Sequence, residues 1–80
     1  MKKTVKVELE FEVEIPDEKV EEILPDYRTS IKSNANEEDL FKQVAFGAGV
    51  NKMRFVEGIG DIRENDITCS EQYSNYECID

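Results

Sequence analysis

From Thr4 to Ile15 the chain alternates without interruption. Val5, Val7, Leu9, Phe11, Val13 and Ile15 are apolar, and Thr4, Lys6, Glu8, Glu10, Glu12 and Glu14 between them are polar. Successive side chains of a β-strand point to opposite faces, so this period of two predicts a long strand with one buried and one wet face. Pro16 ends the strand because proline has no N–H to give to a ladder. Such a strand needs a neighbour to pair with and a layer to cover its apolar side, and the rest of the chain must supply both.

Two helices are expected next. Asp17 is a candidate cap for a short helix that carries Val20, Ile23 and Leu24 on one side, with Pro25 stopping it. The segment Asp26–Asn36 is polar and rich in turn formers, and reads as a loop tacked down by Tyr27 and Ile31. Asn36 then caps a second helix. Glu37, Glu38 and Asp39 place negative charge at the positive end of its dipole, and Leu40, Phe41, Val44, Ala45 and Ala48 form one apolar stripe. Gly47 weakens the last turn and Gly49 is expected to terminate it.

Strand character returns at Met53–Ile59, around Ile62, and at Ile67–Ser70, broken by Gly58, Gly60 and a turn at Glu64, Asn65 and Asp66. The tail from Glu71 to Asp80 is expected to add a last short strand or to lie against the body, less ordered than the rest. The order β-α-α-β-β, with that further short strand, predicts an α+β fold: a small antiparallel β-sheet with two helices packed on one face. Eighty residues are enough for one compact domain spanning residues 1–80 and too few for two.

Charge narrows the function classes. Nineteen acidic residues against ten basic ones give a formal charge of −9, and with no histidine that charge hardly changes near neutrality. Proteins that grip phosphates displace counterions with Lys and Arg, so direct binding to nucleic acid or to an anionic membrane is disfavoured. The acids within Met1–Ile15 interrupt any signal-peptide core, and no apolar run approaches the ~20 residues of a membrane span. A cytoplasmic location is the default expectation. In a reducing compartment Cys69 and Cys78 are expected as thiols, although in principle they could close a short loop.

No motif carries chemistry. Two cysteines without histidine fall short of a zinc site, and Glu71 and Glu77 near them would raise a thiol pKa. Asp61, Glu64, Asn65 and Asp66 lack the alternate-ligand register and central glycine of a calcium loop and read better as an Asx-type turn, although a ligand or metal there would give a calcium-dependent melting shift. Gly47-Ala48-Gly49 follows a helix and Gly58-Ile59-Gly60 lies between strands, so helix termination and a β-bulge account for them better than a phosphate cradle. Neither catalysis nor a cofactor is expected.

What remains is the glutamate ladder. Glu8, Glu10, Glu12 and Glu14 share one face at ~6.7 Å intervals, about a quarter of the charge density of a DNA duplex. Acids on adjacent strands, such as Glu57, Asp61, Glu64 or Asp66, could raise that density, whereas Arg54 or Arg63 across the sheet would neutralise it. In size, charge and lack of catalytic motifs the chain resembles, by composition alone, the DNA-mimicking inhibitors that phages and mobile elements use against restriction or CRISPR machinery. The expected role is a protein-binding module facing a basic surface, with that of a nucleic-acid-processing complex as the expected example. Its contact residues are Glu8, Glu10, Glu12 and Glu14, helped by Glu37, Glu38 and Asp39, with Tyr73 and Tyr76 as apolar anchors. The alternative is self-assembly through the long N-terminal strand, which the glutamates oppose.

Overall fold

The alternating segment forms strand β1 (Val5–Glu14) in a computed structural model that describes residues 1–80. Helix α1 (Asp17–Ser30) and helix α2 (Glu37–Val44) follow, and α2 runs on into a π-helical turn at Ala45–Val50. Strands β2 (Phe55–Val56), β3 (Gly60–Asp61) and β4 (Thr68–Cys78) complete the chain. The fold is α+β, as expected, but the strands divide into two antiparallel pairs, β1 with β4 and β2 with β3. No helix is long and apolar enough to cross a membrane.

The core lies at the base of the β1–β4 pair. Leu40 and Val44 of α2 are fully buried, and Val20, Ile23 and Tyr27 of α1 pack into the same cluster with Val56, Ile59, Ile15 and Ile67. Ile15 directly follows β1 and Ile67 directly precedes β4, so the two long strands are rooted in the core by the residues at their inner ends. Full burial of an aliphatic side chain of this size stabilises the fold by about 1.5–3 kcal/mol.

Helix α1 extends beyond the expected stop at Pro25, which lies inside it. Tyr27 explains the extension: it continues the spacing of Val20, Ile23 and Leu24 by one more turn and is buried. Pro25 sits on the exposed side, where its missing N–H costs one bond to the Glu21 carbonyl but opens no hole in the core. The hydroxyls of Thr29 and Ser30 donate to the carbonyls of Pro25 and Asp26. The expected loop therefore shrinks to the residues after Ser30, where Arg28 Nε donates to the carbonyl of buried Ala35 at 2.8 Å. Ile31, expected to pin this loop with Tyr27, rests on Gly58 but leaves 40% of its surface exposed. Asp17 does not cap α1 either. Pro16 holds that position, and its carbonyl accepts from the N–H groups of Lys19 and Val20.

At α2 the expected cap is present in reciprocal form. Asn36 Oδ1 accepts from the Asp39 N–H at 3.1 Å, and Asp39 Oδ2 accepts from the Asn36 N–H at 2.9 Å. The glycines beyond α2 serve contact and do not end the helix. A Cβ on Gly47 would lie 3.0 Å from Val56 Cγ1, and one on Gly49 would lie 2.9 Å from the Phe11 ring. Gly58 lies in the β2–β3 turn and Gly60 begins β3 opposite Val56, both at positive φ, where a β-bulge is the expectation.

The tail is the largest departure from expectation. Residues expected as a short strand or loose segment form most of β4, which is antiparallel to β1 from Val5↔Cys78 to Glu14↔Thr68. Their polar composition gives no strand signal, and β1 supplies the ladder they pair with. The register slips once, between Glu10↔Tyr73 and Phe11↔Glu71, leaving Gln72 as the extra residue of a β-bulge.

Candidate functional site

β1 and β4 form a two-stranded ribbon that leaves the body, and the molecule is elongated at 47 × 24 × 18 Å. One face carries Val5, Val7, Leu9, Phe11 and Val13, and only its inner part is covered. Leu9, Phe11 and Val13 are half-buried, while Val5 and Val7 are 52% and 49% exposed. The expectation of a strand buried along one whole face fails at this outer end, because the body is too short to reach it. The residues opposite Val5 and Val7 are Cys78 and Tyr76, both exposed, and the apolar face continues across them.

The other face carries the glutamates, all exposed. Their cross-strand partners are uncharged: Glu8 faces Asn75, Glu10 faces Tyr73, Glu12 faces Ser70 and Glu14 faces Thr68. Glu8 has an ion pair with Lys6 at 3.0 Å, and the other three have none. Neither arginine reaches the ladder through an ion pair. Arg54 is held by Asp61 at 2.8 Å, and no salt bridge includes Arg63. The flanking acids are not supplied as expected either. Glu57, Asp61, Glu64 and Asp66 lie on or beside the separate β2–β3 pair, and the strand next to the ladder is β4.

The remaining expected contact residues fall into three places. Tyr73 stands opposite Glu10 on the acidic face, but Tyr76 stands opposite Val7 on the apolar face, so the two tyrosines do not form one anchor. Glu37 and Glu38 are exposed in the first turn of α2 and border open clefts around Phe41. One cleft of about 220 Å³ is lined by Asp17, Val20, Glu21, Glu37 and Phe41. Asp39 is occupied by its cap and by Lys32 at 3.4 Å. The Asn36 backbone N–H, and beside it Lys32, hold its carboxyl below the usual value of 3.8.

At the Asp61–Asp66 turn the carboxylate of Asp61 is buried and engaged. Oδ2 accepts from Arg54, and Oδ1 accepts from the N–H groups of Arg63 and Glu64 at 2.9 and 3.4 Å. The Arg54 guanidinium, with those backbone donors, keeps this carboxyl below its usual 3.8. This is an Asx-type turn, and a metal would have to displace Arg54 to use the same oxygen. Cys69 is half-buried on the core side of β4, and its burial pushes the thiol above its usual value. Cys78 lies nine positions along the same strand, ~30 Å away, far beyond the ~7 Å that a disulfide spans. A bond between the two cysteines of one chain is sterically excluded in this fold.

Sequence reasoning missed two exposed apolar groups: the ribbon end with Val5, Val7 and Ile79, and the run Phe46, Val50, Met53 and Phe55 around the π-helical turn and β2. The first carried a misleading signal, since alternation marks two different faces without saying how far the covering layer extends. Comparisons with known proteins find no matching family model, no matching curated protein and no matching solved structure.

Proposed function

We propose that this chain is a non-enzymatic, acidic protein-binding module whose glutamate face occupies a basic surface on another protein. The favoured partner is a nucleic-acid-processing complex, met in the manner of the DNA-mimicking inhibitors that the composition resembles. The observation that carries the reading is the sparse compensation: Lys6 pairs with Glu8, and Glu10, Glu12 and Glu14 have no ion pair. Four glutamates follow one another on a projecting strand, and every residue opposite them is neutral. Like charges ~6.7 Å apart repel even in water, so this face lowers stability and a cationic partner would relieve it. Such a partner class would place the protein in the cytoplasm.

The test is capture from nuclease-treated lysate, comparing the wild type with a variant carrying Gln at positions 8, 10, 12 and 14, after both are shown to be folded. Capture of a nucleic-acid-binding protein by the wild type alone, reversed by added DNA, is the expected result. Equal capture by both proteins overturns the reading.

A second reading, self-assembly, is favoured by the open edges of the two-stranded ribbon. Pairing through β1 would align two acidic ladders. The β4 edge, with two acids, Glu71 and Glu77, among Ser70, Gln72, Ser74 and Asn75, presents less charge to a second copy. Concentration-dependent size in sedimentation would favour this reading.

A further inference from the structure

The edge of β1 that faces away from β4 has no strand beside it. The Ile79 N–H donates to the Thr4 carbonyl, which fixes the phase of the ladder. Backbone groups of an antiparallel pair alternate between pointing inward and outward, so Lys6, Glu8 and Glu10 turn theirs toward β4. Val5, Val7 and Leu9 therefore present their N–H and C=O groups to the open side, and no side chain caps them. At the same residues Val5 and Val7 leave their side chains exposed on one face, with the glutamates standing on the other.

We infer that this edge takes up an extended segment of another protein in which Lys or Arg alternates with apolar residues, adding it to the ribbon as a third strand. The inference rests on the proposed function for the sign of the partner's charge and adds the mode of binding. Strand addition has the same period of two as β1. A partner with basic residues opposite Glu8 and Glu10 would set each of them ~5 Å from a glutamate, and its apolar residues would extend the Val5–Val7 face and remove it from water. Charge selects the occupant. Proteins commonly guard open edges with charged side chains, and here, beyond Lys6, which is paired with Glu8, the guard on one face is acidic. It repels a second β1, repels nucleic acid, and is complementary to a basic strand.

The probe is a short synthetic peptide alternating Lys and Val, with a peptide of the same composition in two blocks and an alternating Glu and Val peptide as controls. Amide hydrogen exchange by NMR reads the site. The alternating Lys peptide is expected to slow exchange at Val5, Val7 and Leu9 by about tenfold or more, and the controls are not. Val7→Pro removes one outward N–H and leaves the glutamates and the β1–β4 bonds in place, because proline is tolerated where the N–H faces solvent. It should weaken the peptide by about tenfold, with the amides of Leu40 and Val44 reporting that the core is unchanged. Peptide binding without slowed exchange at Val5, Val7 and Leu9 overturns strand addition, and this wild-type result decides even if Val7→Pro misfolds. If binding then persists in Val7→Pro and is lost in the Gln variant, the acidic-face reading stands and only the edge mode fails. If the Gln variant captures the same proteins from lysate, the acidic-face reading fails whatever the peptide does.

Discussion

The ring of Phe11 lies against the backbone of Gly49, where a Cβ on that glycine would stand 2.9 Å from two ring carbons. This contact joins the ribbon to the π-helical turn that continues α2. It sets how closely β1 can approach the body. Gly49→Ala adds helix propensity worth about 1 kcal/mol but forces the ring to move, at about 1–3 kcal/mol. The expected net change is a loss of about 1 kcal/mol. In a Phe11→Ala background the same substitution should become neutral or stabilising, and a double-mutant cycle by urea unfolding reads the coupling.

Pro25 is the clearest place to gain stability. Its ring interrupts α1 on the exposed side, and its hydrogen-bond deficit falls on the Glu21 carbonyl. Pro25→Ala restores the donor without touching Tyr27. A gain of about 1–3 kcal/mol is expected, seen as a higher urea midpoint with an unchanged slope.

Asp61 gives the fold an acid dependence. Its carboxyl titrates below 3.8 in the folded protein because Arg54 and two backbone N–H groups favour the anion. A carboxyl depressed in this way contributes stability that is complete above its unfolded pKa and is lost as pH falls through the folded value. Asp39 acts in the same direction through its cap. Asp61→Asn should therefore be less stable than wild type at neutral pH, and the gap should narrow below about pH 4, as read by thermal melts across an acid series.

The glutamate face makes the opposite kind of prediction. Replacing Glu8, Glu10, Glu12 and Glu14 with Gln removes repulsion without removing an ion pair other than that of Lys6 with Glu8. In low salt the variant should be more stable by about 1 kcal/mol, and the difference should shrink in molar salt, where the Debye length falls to about 3 Å. An unchanged difference in high salt would mean that the gain does not come from charge.

The parts legible in the sequence were those whose physics is local. Strict alternation gave β1, Asn36 as a cap followed by three acids gave the start of α2, and Asp61 in a short polar run gave an Asx-type turn. The parts that were not legible depend on distant contacts. Gly58 looks like a bulge residue until it meets α1, where a Cβ on it would lie 2.5 Å from Ile31 Cγ1 and 2.9 Å from Tyr27 Cδ2. Pro25 looks like a stop until buried Tyr27 holds the next turn in place. The outer part of β4, from Glu71 to Cys78, reads only as a short strand or a segment lying against the body, because its full length exists only through pairing with β1. For the candidate surface, the exposed glutamates were foreseen, but the neutrality of the facing strand and the separation of Tyr73 from Tyr76 required the register.

The single extra residue at Gln72 sets that register, and it acts as a phase joint. If the outer pairing, Val5 with Cys78, ran on without a slip, Glu71 would face Glu12, and Cys69 would face Glu14 in water. The slip instead returns Cys69 to the side of Val13 and hands Ser70 and Thr68 to the glutamates. Each half of β4 can thus keep its own alternation. The outer half of the ribbon, from Val5 to Glu10, is thereby released from the register of the inner half, so a pair exchanged there leaves Cys69 beside Val13 and Ser70 and Thr68 beside the glutamates.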